Sequence, residues 1–298
     1  MTTIMVSGVV WSDATPHVRV RRDGGQSVLE PLVDFEANYM ANHDTPRMCL
    51  GHKPFRDPKA GWQDCDNVPL HDGKLCDRCA AHDATFASQL HHAHNKAAGE
   101  LDAAMVRHLN QPNEMYLAAF DDGSIKVGTS TKHRIDTRLL EQGAAQARIV
   151  AASTNGVAIR ELEDRTSLAL GLPQSVSVKR KLDGVVQPTD RVAVAEQLIE
   201  HATFVESTLA RLNDPRLSSL DRTWERTMVS RGMVHRYPGS LAVGAHDFVA
   251  LDAVGKVLLF ERPGGADVFA ADLSKLFGLE LELGSHKPDE VTVQDALF

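Results

Sequence analysis

Residues 115–165 read MYLAAFDDGSIKVGTSTKHRIDTRLLEQGAAQARIVAASTNGVAIRELEDR. Two short runs, Met115 to Phe120 and Ile125 to Ser130, flank the turn sequence Asp121-Asp122-Gly123-Ser124, which predicts a β-hairpin. From Thr131 the pattern becomes helical, and Gly143 can end that helix in a left-handed cap. Ala147 to Ala152 predicts a third strand. Asn155 and Gly156 then turn the chain into a second helix that starts at Val157. The order is strand, strand, helix, strand, helix, so the fold class expected is α+β.

Upstream of this unit lie all four cysteines of the chain, Cys49, Cys65, Cys76 and Cys79. The last two form a Cys-x-x-Cys knuckle, which can grip one tetrahedral ion if a second pair is brought in from earlier in the chain. Structural zinc is the expected cofactor. A four-ligand site leaves no position for water, so it holds structure rather than doing chemistry. A disulfide pair or inert buried thiols are the alternatives, and a disulfide requires an oxidising compartment. His52 forms a Cys-x-x-His pair with Cys49 and competes with Cys65 for the fourth position. Farther on, His82, His91, His92 and His94 invite a second metal, but a solvated helix face is the default reading.

The chain ends read as strands. Thr3 to Val33 alternates apolar and polar residues and breaks at Asp23-Gly24-Gly25, a hairpin pattern. Asp247 to Leu251 and Val257 to Phe260 predict a second β segment. Isolated hairpins are marginal, so the two ends are expected to join in one small antiparallel sheet or barrel. The expected organisation is therefore an N-terminal β segment (1–44), a zinc module and helix (45–112), the strand-helix core (113–185), a helical connector (186–235) and a C-terminal β segment (236–298).

Hydrophobic residues make up 43% of the 298 and charged residues 24%, ordinary values for a globular protein. No apolar run has the length of a membrane span, and no basic segment precedes the apolar start, so a cytoplasmic protein without membrane partners is expected. The formal net charge of -8 argues against non-specific nucleic-acid binding. A local cationic groove is compatible with it, and Lys179-Arg180-Lys181 is the densest cluster.

In the core, Tyr116-Leu117-Ala118, Lys126-Val127-Gly128-Thr129, Thr137-Arg138 and Gln142-Gly143-Ala144 follow one another at fixed intervals. This series resembles the GIY-YIG nuclease superfamily, and most closely a bacterial branch in which a cysteine-rich zinc module precedes such a core. The likeness covers about Cys49 to Glu163, with a weaker echo at Val243 to Leu251. It implies a GIY-YIG-like ββαβα core and a nuclease site in which Tyr116 takes the first tyrosine position and Gly128 the second signature's glycine. Arg138, with Arg134 as rival, takes the arginine position. Glu163, with Glu161 as rival, takes the place of the glutamate that binds catalytic Mg. Lys126 stands where the second tyrosine is expected.

The chemistry of these residue types is coherent. A glutamate can hold Mg²⁺ while water and substrate fill its other positions. Arginine can clamp a phosphate through two parallel hydrogen bonds, and a tyrosine of lowered pKa can take a proton from water. Lysine cannot replace a phenol, though its charge can stabilise a Tyr116 phenolate or an anionic ligand. The first expectation is a Mg-dependent phosphodiesterase acting on nucleic acid, with zinc as structural support. The second is a non-nuclease on the same fold, either a nucleic-acid or protein binding module or an enzyme acting on a small molecule.

Overall fold

The computed structural model describes residues 2–42, 44–54, 60–66, 68–82, 95, 100–101, 103–227 and 232–288. His91, His92 and His94, and the middle of the helical run expected from His82 to Leu109, lie outside them. The chain divides into two compact units, one drawn from 1–54, 59–82 and 229–298, the other from 55–58 and 83–228.

The first unit is built on one nine-stranded sheet that takes strands from both ends of the chain. From the N-terminal side come β1 (Thr2–Ser12), β2 (Thr15–Arg22), β3 (Ser27–Pro31) and β4 (Glu36–Ala41). From the C-terminal side come β11 (Val234–Arg236), β12 (Gly244–Val254), β13 (Val257–Glu261), β14 (Val268–Asp272) and β15 (Glu280–Leu283). Their order is β11-β14-β13-β12-β4-β15-β1-β2-β3, so β4 sits between two C-terminal strands and β15 between two N-terminal ones. Alternate residues of β2 and β4 turn inward, as the period of two in a pleated strand requires. Ile4, Val18, Tyr39, Phe248 and Leu281 close around an apolar interior that retains a void of only about 20 Å³. The sheet curls around its own core. It is larger than the small antiparallel sheet expected, and it is mixed, because β11 pairs with β14 in parallel.

The same unit carries the cysteine module. A two-residue ladder joins β5 (Arg47–Met48) to β6 (Pro69–Leu70), and residues 77–82 are helical. The module is tied to the sheet by Met48, whose N–H donates to the Gly278 carbonyl at 2.7 Å, and by Arg21, whose guanidinium donates to the Cys65 carbonyl at 2.9 Å.

The second unit begins its described helices with α1 (Ala103–Leu109). Its four-stranded antiparallel sheet has the order β10-β9-β7-β8, from β7 (Asn113–Ala119), β8 (Ile125–Thr131), β9 (Gln146–Ser153) and β10 (Ser218–Glu225). Between these strands run α2 (Ile135–Gln142), α3 (Gly156–Leu170), α4 (Val178–Val186) and α5 (Arg191–Leu212). Asn155 caps α3, its side chain accepting from Val157 and Ala158, and Gly143 closes α2 at φ 73°. Every residue of β7 is buried. Met115, Leu117 and Ala119 pack with Ile159 and Leu162 of α3 and Leu198 of α5, whereas Tyr116, Ala118 and Phe120 pack with Ile135 and Leu139 of α2. β10 runs inside the stretch read as a helical connector. Only Leu220 and Trp224 turn toward the core and Arg222 stands between them, so no strict alternation of apolar residues announces it. Strand and helix order alone do not establish the GIY-YIG-like core that the motifs suggested, because one arrangement of elements serves unrelated families.

No helix among the described residues is long and apolar enough to cross a membrane.

One buried ion pair staples the second unit. Arg226 donates to both carboxylate oxygens of Asp121, at 2.7 and 3.0 Å, and to the carbonyls of Gly143 and Ala144 at 3.1 Å each, beyond the end of α2. Replacing Arg226 by Met leaves the Asp121 carboxylate and two carbonyls without these donors, so a loss of about 3–5 kcal/mol in urea unfolding is expected. A loss below about 1 kcal/mol, the scale of a surface pair, would show the staple to be dispensable.

Candidate functional site

The four cysteines come together from three separate segments. Cys49 follows β5, Cys65 precedes β6, and Cys76 and Cys79 frame the start of the 77–82 helical turn. Their sulfur atoms all lie within 4.8 Å of one another. The Cys65 and Cys76 sulfurs are 3.8 Å apart, the spacing of roughly 3.8 Å that a tetrahedral ion at ~2.3 Å from each thiolate would set. Such a cluster can hold a metal ion such as zinc. The backbone N–H groups at the knuckle favour thiolate: the Cys79 N–H, with the neighbouring thiols, brings the Cys76 pKa down to about 7, and the Cys76 N–H donates to the Cys49 sulfur at 3.2 Å. Burial pushes the Cys49 and Cys79 thiols up, a cost that a bound cation would offset. His52 is outside the cluster, its ring stacked on that of His82 at 5.0 Å.

The residues singled out in the core gather at the β8 edge of the four-stranded sheet. Tyr116 and Gly128 are register partners, as are Ala118 and Lys126, so Tyr116 and Lys126 share the face covered by α2. A Cβ on Gly128 would sit 2.5 Å from the Tyr116 hydroxyl oxygen. The glycine is there because the phenol needs its space. The hydroxyl accepts a 2.7 Å hydrogen bond from the Gln142 side chain. Burial raises the Tyr116 pKa, against the opposing pull of the Arg138 guanidinium and Gln142. Glu163 reaches the cluster from α3, where its carboxylate accepts from the Thr129 hydroxyl at 2.8 Å and is felt electrostatically by Tyr116, Lys126 and Arg160. Arg138 stands half exposed at the rim, 3.4 Å from Glu141, and Arg134 pairs with the same carboxylate at 2.7 Å. Glu161, the rival glutamate, is turned to Arg216.

Lys126 is the unusual group. It is only 6% exposed, its ammonium donates to the Gln174 carbonyl at 3.0 Å, and it lies 5.7 Å from the Tyr116 ring centre. Burial and the nearby Arg138 charge bring its pKa down to about 8, with Glu163 opposing. Among the described residues no carboxylate forms an ion pair with it. Gln142, Thr129, Gln174 and Arg160 join the cluster without having been singled out from the sequence. Gln142 had a usable signal, since it lies one helical turn beyond Arg138 and opens the Gln-Gly-Ala run.

The fit to Mg²⁺ is poor. Glu163 is the one carboxylate the cluster shares, one of its oxygens is already taken by Thr129, and Lys126, Arg138 and Arg160 surround it with positive charge. Among the described residues, the four cysteines are the one grouping of three or more potential metal-binding side chains.

Because the unfolded chain binds a proton on Lys126 up to about pH 10.5 and the folded chain only to about pH 8, the wild type should gain stability as pH rises through that window. Lys126→Met keeps the stem and removes the charge. It should stabilise the protein below pH 8 by on the order of 3 kcal/mol, an advantage that fades above pH 10.5. Equal melting shifts at pH 7 and pH 11 would contradict this account.

Residues 60–233 match the family described as Protein of unknown function (DUF2797), and the chain belongs to that family. No curated protein and no solved structure matches it. The resemblance to the GIY-YIG superfamily is corrected by this finding: the matching family is another one, and no match to GIY-YIG nucleases accompanies it. The motifs behind the resemblance are runs of two to four common residues, and Lys126 breaks the second signature where a phenol is required.

Proposed function

We propose that this member of the family is a zinc-stapled protein whose core binds the phosphate backbone of a nucleic acid at the cluster of Tyr116, Lys126, Arg138 and Glu163. The observation that carries the reading is the unbalanced charge at Lys126. A buried ammonium, pressed by Arg138 and given only a carbonyl to bond, feels the Glu163 charge but makes no ion pair with a described carboxylate, and so lacks a directly paired anion. A phosphate would supply it, with Arg138 at the rim placed to bind the same oxygens. Lys132, His133 and Arg134 are exposed just before α2 and extend the cationic surface along the chain. His108 is held below its usual range by burial and then by Arg160, His133 and Arg134, which is further support for a local positive field. This field is local, and so compatible with a net charge of -8.

A second reading adds cleavage. The Tyr116 hydroxyl and the Glu163 carboxylate act on one another electrostatically, and such a pair of proton-handling groups beside a bound phosphate would suit a phosphodiesterase. The raised pKa of Tyr116 and the poor fit to Mg favour binding over hydrolysis.

Gel-shift titrations with short single- and double-stranded DNA and RNA, run with and without Mg, test both readings. Arg138→Met should weaken binding by roughly tenfold, the scale of one charge-assisted contact, and affinity should fall as pH rises past 8 and Lys126 loses its proton. Equal binding by wild type and Arg138→Met would defeat the phosphate reading. Mg-dependent cleavage abolished by Glu163→Gln, with unchanged melting, would establish the second reading instead.

Zinc at Cys49, Cys65, Cys76 and Cys79 is part of the same proposal, supported by the sulfur spacing and the burial of Cys49, Cys65 and Cys79. Metal analysis of untagged protein should find about one zinc per chain. Cys76→Ser should lose it and melt at lower temperature. Full zinc occupancy in that variant would remove Cys76 from the ligand set.

A further inference from the structure

A cleft of about 930 Å³ opens in the first unit, between the outer strands β2 and β3 and the loop that carries Trp62, Asp64 and Cys65. That volume lies at the upper end of the ~300–1,000 Å³ typical of small-molecule sites. Arg19 stands opposite Gly8 on β1 and Leu29 on β3. The guanidinium carbon lies 3.8 Å from the centre of the Trp62 ring. Stacked in this way, a guanidinium keeps its N–H fork in the plane of the stack and free for an acceptor.

The charges in the cleft are not equally available. Asp64 accepts from the Ser27 N–H at 2.7 Å and from its hydroxyl at 2.5 Å. Asp66 pairs with Arg78 at 3.2 Å. Arg21 is committed to the carbonyls of Gly24, Gly25 and Cys65. Arg19 and Lys53 remain, and among the described residues neither has a hydrogen-bonding partner. Arg19 is half-buried, and the loss of water that lowers its pKa is opposed by the charge of Asp64 but by no hydrogen bond. The Trp62 indole N–H is a second buried donor without a partner. Leu29, about half exposed and the register partner of Arg19, adds an apolar wall to the same cleft.

We propose that this cleft binds a nucleotide, its phosphate held by Arg19 and Lys53 and its base covered by Leu29 and the Trp62 indole. Two unpaired cations call for a dianion more than for a single carboxylate, and the indole and apolar wall call for a flat apolar group joined to it. The phosphate can come from a free nucleotide or from the end of a strand, and both present the same chemistry. The site is separate from the Lys126 cluster and does not depend on the role proposed there.

Calorimetric titration of the full-length, zinc-containing protein with AMP, ATP, inorganic phosphate and a short deoxythymidine oligomer tests the assignment. Binding of AMP or ATP is expected, with a fluorescence change that Trp62→Phe removes. Arg19→Met should weaken it by roughly tenfold or more, the loss of one charge-assisted contact, and Lys53→Gln by a smaller factor. Arg138→Met should leave it unchanged, which separates this site from the other. Competition by the oligomer assigns the ligand to a strand end, and its failure to compete assigns it to a free nucleotide. Absence of AMP and ATP binding, or binding undiminished in Arg19→Met, overturns the proposal. If Arg19→Met does not fold, undiminished binding in the surface variants Lys53→Gln and Lys53→Glu overturns it equally.

Discussion

The second unit depends on β7 being buried on both faces. A strand in that position must satisfy its backbone through neighbours on both sides, which β8 and β9 provide, and must send apolar side chains in both directions. Tyr116 is one of three polar-tipped residues in this strand, with Asn113 and Glu114 at its start. Its ring adds to the layer under α2, while its hydroxyl needs a partner and finds one in Gln142. From that requirement follow the glycine at position 128, which leaves room for the phenol, and the position of Lys126 two residues earlier on the same face. The cluster at the β8 edge is thus a consequence of strand register before it is a matter of chemistry.

In the first unit the comparable constraint is the interleaving of the chain ends. β4 cannot complete its ladders until β12 and β15 have arrived from the other end, more than two hundred residues along the chain. Contacts of such sequence separation form late and slowly. The cysteine module works in the opposite sense. It gathers four thiols from within a short span, and a bound ion would supply folding energy to a segment with little apolar surface of its own. Arg21 links the two, since it lies in β2 and bonds the Cys65 carbonyl.

The charged groups of the two clefts share a pattern. Lys126 and Arg19 are both removed from water, and both have their pKa values lowered chiefly by that removal. Neither forms an ion pair with a described carboxylate. Structural ion pairs elsewhere in the chain behave differently: Asp121 with Arg226 and Asp122 with Arg180 hold each other at 2.7 and 2.8 Å. Glu163 and Asp64 oppose these shifts from a distance, but cations kept partly dry without a direct ion pair are costly to the fold. That cost gives them weight as recognition groups.

Much of the local structure was legible from the sequence. The hairpin turn at Asp121 to Ser124, the Asn155 cap and the Gly143 helix end are dictated by residues a few positions apart, and the four cysteines announced their cluster by composition and spacing. The helix at Arg191 to Leu212 lies in the stretch read as a helical connector. β10 was not legible, because Leu220 and Trp224 alone give it too sparse an apolar pattern, and neither was the parallel pairing of β11 with β14. The family could not be read from motifs of two to four residues, since a fold places such residues without fixing lineage or use. The sequence by itself determined which segments turn, coil or extend, because those choices rest on neighbours in the chain. The tertiary structure alone decided that β4 lies between β12 and β15, that Lys126 is buried beside Arg138, and that Arg19 stacks on Trp62, because each of these joins residues whose separation along the chain carries no record of their contact.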